Sequence, residues 1–235
     1  KNSYLTNSVT EIVLSERSTL HYTKLQHESE RAYHIATIHV EQHTASAFTS
    51  NSIALGGAIV RNNVLSRLIG ENIICTLNGL SLGTGEQLID NHTTIDHAMP
   101  NCESHELYKS ILDGKARGVF NGKIFVRKDA QKTDAKQTNK TLLLSEDATI
   151  DTKPQLEIFA DDVKCTHGAT VGQLDENQIF YLRTRGFSNE LARDVLTTAF
   201  ANDVIDRIPN EALRTQLYEL IFKQLHEGRT TTLES

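Results

Sequence analysis

Phe159-Ala-Asp-Asp-Val-Lys-Cys-Thr-His-Gly-Ala-Thr-Val-Gly172 places a thiol and an imidazole two residues apart in an alternating, strand-like run. Successive side chains of a strand point to opposite faces, so Cys165 and His167 project from one face and Thr166 from the other. Two metal-competent groups then share a surface. The pair is too small to be a complete site, because closed zinc sites usually take about four protein ligands and catalytic ones about three. A metal held here needs ligands from elsewhere in the fold or from a partner.

Outward from this stretch, the chain from Glu11 to about Phe180 reads as short runs rich in β-branched residues. Examples are Glu11-Ile-Val-Leu14, Thr19-Leu-His-Tyr22, Tyr33-His-Ile-Ala-Thr-Ile-His-Val40, Ser52-Ile-Ala-Leu55 and Asn72-Ile-Ile-Cys-Thr-Leu77. Ser15, Gly56 and Asn78 follow the first, fourth and fifth of these runs, and the runs recur at intervals that fit an all-β sandwich, barrel or solenoid. The unit of strand, turn and strand from Leu65 to Leu82 suits a solenoid coil, although no exact repeat aligns. Asp129 to Lys140 reads as a polar loop carrying Lys132, Lys136 and Lys140, with a solvated connection between coils preferred over an anion site.

At Gly186 the periodicity changes. Ser188 suits an N-cap and Glu190 the first turn of a helix. Ala192, Leu196, Phe200, Val204 and Ile208 then form an apolar stripe. Pro209-Asn210-Glu211 separates this helix from a second, which carries Leu213, Leu217, Leu220, Ile221 and Leu225 and is expected to end at Gly228. The expected organisation is a β core over residues 1–185, a helical segment over 186–228 and a tail over 229–235.

A chain of 235 residues can bury a sizeable core as one principal domain. The net charge of -6 and the absence of a basic stripe interleaved with aromatics argue against nucleic acid as a partner. No apolar run reaches the ~20 residues needed to cross a bilayer, and the chain reads as soluble and cytoplasmic with no membrane association. Cys75, Cys102 and Cys165 are odd in number and widely spaced, as expected of free thiols in a reducing compartment. The chain starts at Lys1 and its single methionine is Met99, so a fragment or processed form is expected. Neither a Walker A sequence nor a nucleophile elbow occurs, and no enzyme activity is expected of the chain alone.

Cys165-Thr-His-Gly-Ala-Thr-Val-Gly172 resembles the signature of the SufB/SufD family of iron-sulfur cluster assembly proteins. Gly118-Val-Phe-Asn-Gly-Lys-Ile-Phe-Val126, Ala130-Gln-Lys-Thr-Asp-Ala-Lys-Gln137, Leu142-Leu-Leu-Ser145, Pro154-Gln-Leu-Glu-Ile-Phe159 and Phe180-Tyr-Leu-Arg-Thr-Arg-Gly186 fall in the family's order. Gly168 stands where SufB members tend to have an acidic residue, so the chain is more similar to the SufD branch. The likeness covers roughly Ser52 to Phe200. It implies an all-β core built as a right-handed parallel β-helix. It also implies a scaffold subunit that pairs with a SufB-like subunit and binds a SufC-like ABC ATPase, to which ATP hydrolysis then belongs. His167 and Cys165 are the metal candidates that follow, with His167 near the SufB/SufD interface where a nascent cluster is built. Iron or a cluster would be held transiently at that interface, with none held stably by the chain alone. Residues 186–227 would contact SufC, and the isolated chain is expected to be capable of forming a homodimer.

Other groupings carry less. His92-Thr-Thr-Ile-Asp-His-Ala-Met-Pro-Asn-Cys-Glu-Ser-His105 holds three histidines, Asp96, Cys102 and Glu103, but its spacing is that of no closed site, and structural hydrogen bonding is expected of it. Gly79-Leu-Ser-Leu-Gly-Thr-Gly85 lacks a phosphate-loop ending and reads as a turn between coils. His34 and His39 would face opposite sides of a strand. Two rival readings are a carbohydrate-active β-helix enzyme, weakened because Asp161 and Asp162 would lie on opposite strand faces, and a structural solenoid without a metal role.

Overall fold

Among the described residues side-chain alternation recurs through twelve strands, which stack in two rows. The computed structural model describes residues 3–230. One parallel sheet has the order β1 (Tyr4–Leu14), β3 (Ala32–Gln42), β5 (Ile59–Leu68), β7 (Leu88–His97), β9 (Arg117–Val126) and β11 (Thr149–Ile158). The other has the order β2 (Thr19–Gln26), β4 (Ala47–Ala54), β6 (Ile74–Gly83), β8 (Glu103–Leu112), β10 (Asp134–Leu143) and β12 (Lys164–Gly172). Each coil gives one strand to each sheet, which makes a parallel β-solenoid of about six turns, as the family resemblance implies.

Inward rows alternate with outward ones. Phe48, Val64, Leu68, Ile73, Leu77, Ile95 and Phe120 fill one apolar stretch of the interior. Polar rows are buried beside it and are linked in part by side-chain hydrogen bonds: Asn62 Nδ2 donates to Asn91 Oδ1 on the next coil at 3.0 Å, and Asn91 Nδ2 to Ser81 Oγ across the two sheets at 3.1 Å. Gly79 lies in register with Tyr108, whose ring stacks on Phe120 with centroids 5.1 Å apart. A Cβ at Gly79 would stand 2.3 Å from that ring. The Gly79–Gly85 stretch is therefore mostly strand β6, and the turn is confined to its end, where Gly85 has φ +58.

Three helices follow among the described residues: α1 (Glu176–Arg183), α2 (Asn189–Ile205) and α3 (Glu211–Thr230). The last strand ends at Gly172, so helical structure begins well before Gly186. α1 has a weakly apolar sequence with Ile179 as its buried residue, which explains why no stripe announced it. Ser188 caps α2 as expected, accepting from Leu191 N–H at 3.1 Å. α3 runs past Gly228, and residues 231–235 of the expected tail lie outside the described residues.

α2 and α3 pack on a flank of the solenoid. Ile53, Leu55, Leu80, Leu82, Leu107 and Ile111 form the outer face of the even-numbered sheet and pack with Val204, Ile205, Leu217 and Ile221 from the helices. The stripe expected of these helices is consumed there. Lys109 on β8 also points into this seam, where Nζ donates to Phe200 O at 2.8 Å, pairs with Asp203 and sits 4.2 Å from the Phe200 ring centroid.

Two other expectations are corrected. Asp129–Lys140 is not one loop, because its second half is strand β10. The inward row there is Ala135, Gln137, Asn139 and Thr141, so polar residues hide the alternation. Asp161 and Asp162 sit in the turn before β12 rather than on strand faces.

Candidate functional site

Among the described residues, β12 closes the even-numbered sheet with a neighbour on one side only, β10. Register aligns Ala135 with Cys165, Gln137 with His167, Asn139 with Ala169 and Thr141 with Val171. All four β10 partners are buried, so Cys165 and His167 share the inward row, as strand periodicity requires. Their surroundings differ. Cys165 is half-buried against Ile124, Val126, Ala130, Ala135 and Ala160, and burial pushes its thiol up from its usual value, with Asp134 adding to the effect. Such a thiol is a poor ligand until something displaces its proton. His167 is exposed, because no further coil covers the inward row at this end.

The edge itself is available. Lys164 N–H donates to Thr133 O at 2.8 Å, toward β10, and alternate residues of a parallel strand address opposite neighbours. The N–H groups of Cys165, His167, Ala169 and Val171 therefore face the unpaired side. Apolar groups flank it, with Ile158, Phe159 and Val171 exposed at the same end.

Behind His167 the row continues inward to Gln137 and then Glu106. Gln137 Nε2 donates to Glu106 Oε2 at 2.6 Å. Burial pushes the Glu106 carboxyl up to about 7, opposed by its hydrogen bonds with Gln137 and Thr93. Reading along the sequence missed this column, whose members lie roughly thirty residues apart; the coil length of a solenoid is the signal that would have linked them.

The His92–His105 cluster is dispersed. His92 Nε2 lies 2.8 Å from Asp90, and His97 is buried with Nε2 2.9 Å from Ser104 Oγ. Burial pulls the His97 imidazole down to about 4, so it is neutral. Cys102 Sγ donates to Gly70 O at 3.3 Å, while Asp96 accepts from Arg127 at 2.7 and 2.9 Å. His34 is buried and 2.8 Å from Glu28, whereas His39 is on the other face. Among the described residues no group of three or more His, Cys, Asp or Glu side chains is placed to hold a metal, and no helix is long and apolar enough to cross a membrane.

Among the described residues the chain is thus a parallel β-solenoid domain with a histidine in the exposed inward row of its last strand and helices along one flank. The chain belongs to the SufB/SufD family and is most like SufD. Residues 1–200 match the family described as "SUF system FeS cluster assembly, SufBD core domain". The chain is 39% identical to the iron-sulfur cluster assembly protein SufD of Escherichia coli (strain K12), over 92% of its own length and 51% of that protein. It is 38% identical to an iron-sulfur cluster assembly SufBD family protein of Synechocystis, over 93% of the chain and 48% of the relative. With the chloroplastic protein ABCI7 of Arabidopsis thaliana the identity is 36%, over 91% and 45%. The chain thus spans about half the length of these curated relatives.

Proposed function

We propose that the chain is the core of a SufD-like scaffold subunit in iron-sulfur cluster assembly, pairing with a SufB-like subunit through the open coil end and performing no complete reaction alone. The observation that carries this reading is the unpaired edge of β12 with His167 in its inward row. Edge strands are templates for another chain, and a partner strand added there would bring its own side chains over His167. Iron or a nascent cluster is then cargo held between subunits, with His167 one ligand and Cys165 a second once metal displaces its proton. The same edge would support self-pairing of the isolated chain.

A SufC-like ABC ATPase fits the helical end. The inner stripe of α2 and α3 is spent on the solenoid, so a partner must use what remains outside. Phe180 and Tyr181 on α1, Phe187 in the turn and Leu191 in the first turn of α2 are exposed, and aromatic residues such as the first three anchor interfaces.

The test is co-purification of the full-length protein with SufB-like and SufC-like partners. Ala169→Pro removes an N–H that faces the unpaired side and should abolish SufB-like pairing while the melting temperature holds. His167→Ala should leave pairing intact and lower cluster formation. Undiminished pairing by the proline variant would sink the edge reading; undiminished clusters in the alanine variant would sink the metal role.

A further inference from the structure

The lysines of the Asp129–Lys140 stretch acquire a setting that the sequence did not reveal. Lys136, Thr138 and Lys140 form the outward row of β10, opposite in sense to the buried Gln137 and Asn139. With His105 of β8 and Arg207, just beyond the end of α2, they line a cavity of about 370 Å³. The one carboxylate whose side chain lines it, apart from the inward-turned Glu106, is Asp203, and that is committed to Lys109. Glu103, which is not part of that lining, stands 4.0 Å from His105. Neither Lys136 nor Lys140 has a carboxylate within ion-pair distance among the described residues, and Arg207 donates to Asp203 O at 3.0 Å and Asn78 Oδ1 at 3.5 Å, both neutral acceptors. Three cations therefore converge without neutralisation on a chain whose net charge is -6. Like charges repel unless something negative joins them, and a solvated face would disperse them among acids.

Dimensions narrow the ligand. Lys136 and Lys140 are four residues apart in one row, so their Cα atoms stand about 13 Å apart, with Thr138 between them. A single small oxyanion cannot meet both lysines and Arg207 without drawing the side chains together, whereas a chain of phosphoryl groups can. The concavity is of the size that takes a small molecule. We propose that this groove between β10 and the C-terminal end of α2 binds an anion carrying two or more linked phosphoryl groups. Lys136, Lys140 and Arg207 provide the charge and Thr138 a hydroxyl donor. The site lies on the outer face of the sheet, opposite to the inward row that carries His167.

Calorimetric titration of the full-length protein with inorganic pyrophosphate tests it, with ADP as a second arm. Saturable binding of one equivalent is expected, weakening as ionic strength rises. Lys136→Gln/Lys140→Gln should raise Kd by about tenfold or more for each lysine lost, while Lys115→Gln/Lys153→Gln on other surfaces should not. Tighter ADP than pyrophosphate binding would identify a nucleotide tail as the source; equal binding would identify the phosphoryl groups alone. Arg207→Gln gives an independent check should the double variant fail to fold. The proposal is overturned by the absence of saturable heat, by affinity unchanged in the lysine variants, or by a hexaglutamate peptide that binds where pyrophosphate does not.

Discussion

Gln137 Nε2 donates to the Glu106 carboxyl one coil inward of His167, and both side chains are buried. The Glu106 carboxyl titrates at about 7 when folded against 4.5 ordinarily, so the folded chain keeps a proton that the unfolded chain releases. Its contribution to stability is full below the unfolded value and declines as pH rises from 4.5 to about 7. Glu106→Gln keeps an acceptor for Gln137 and has no proton to lose. Denaturant melts below, within and above that window should show the variant gaining on the parent as pH rises; a constant difference would mean that the carboxyl is not protonated in the fold.

His97 pulls the other way. Its imidazole is held neutral down to about 4 against an ordinary 6.5, so the unfolded chain binds the proton first and stability falls as pH drops from 6.5 through about 4. His97→Asn should flatten the acid limb of the stability profile while lowering stability at neutral pH through the lost Ser104 contact. An unchanged acid limb would count against burial as the cause.

Gly79 and Tyr108 cannot both carry side chains. Gly79→Ala should cost about 2 kcal/mol, because the nearest atoms belong to a packed ring rather than a flexible tip. Gly168→Ala, with nothing within 4 Å of the new Cβ, is the comparison and should be near neutral. Equal melting temperatures for the two would contradict the packing described.

Lys109 is 2% exposed in its side chain, whereas Asp203 is 58% exposed. Removing the acid strands a charge beneath α2, so Asp203→Ala should cost about 2 kcal/mol. Lys109→Met, which removes the charge and keeps the volume, should cost less. Thermal melts order the two variants; the reverse order would show that the ammonium is not desolvated.

Deleting residues from Gln173 onward uncovers the apolar face of Leu80, Leu82, Leu107 and Ile111. The remaining coils should bind a hydrophobic dye and precipitate instead of persisting as a soluble β core. A monomeric, dye-silent product would show that the helices are dispensable.

The β architecture was legible because Tyr33–Val40 and similar runs alternate cleanly, but the stacking of coils was not. Register joins residues roughly thirty positions apart through side chains as unlike as Tyr22, Ser50, Leu77, Glu106, Gln137 and His167, and no repeat survives such substitution. The shared face of Cys165 and His167 followed from period two alone. That one would be embedded and the other bare did not, since this depends on where the stack stops. The pairing of Lys109 with Asp203 joins a strand to a helix far along the chain, beyond any local pattern.

An unfinished β stack has a cost in the cell. β12 offers the same hydrogen-bonding edge whether or not a partner chain is present, and mass action then decides what fills it. On the pairing proposed above, surplus copies made without a mate should cluster with one another or fall to proteolysis, which would tie the abundance of this chain to that of its companion, a form of stoichiometric control that requires no separate regulator.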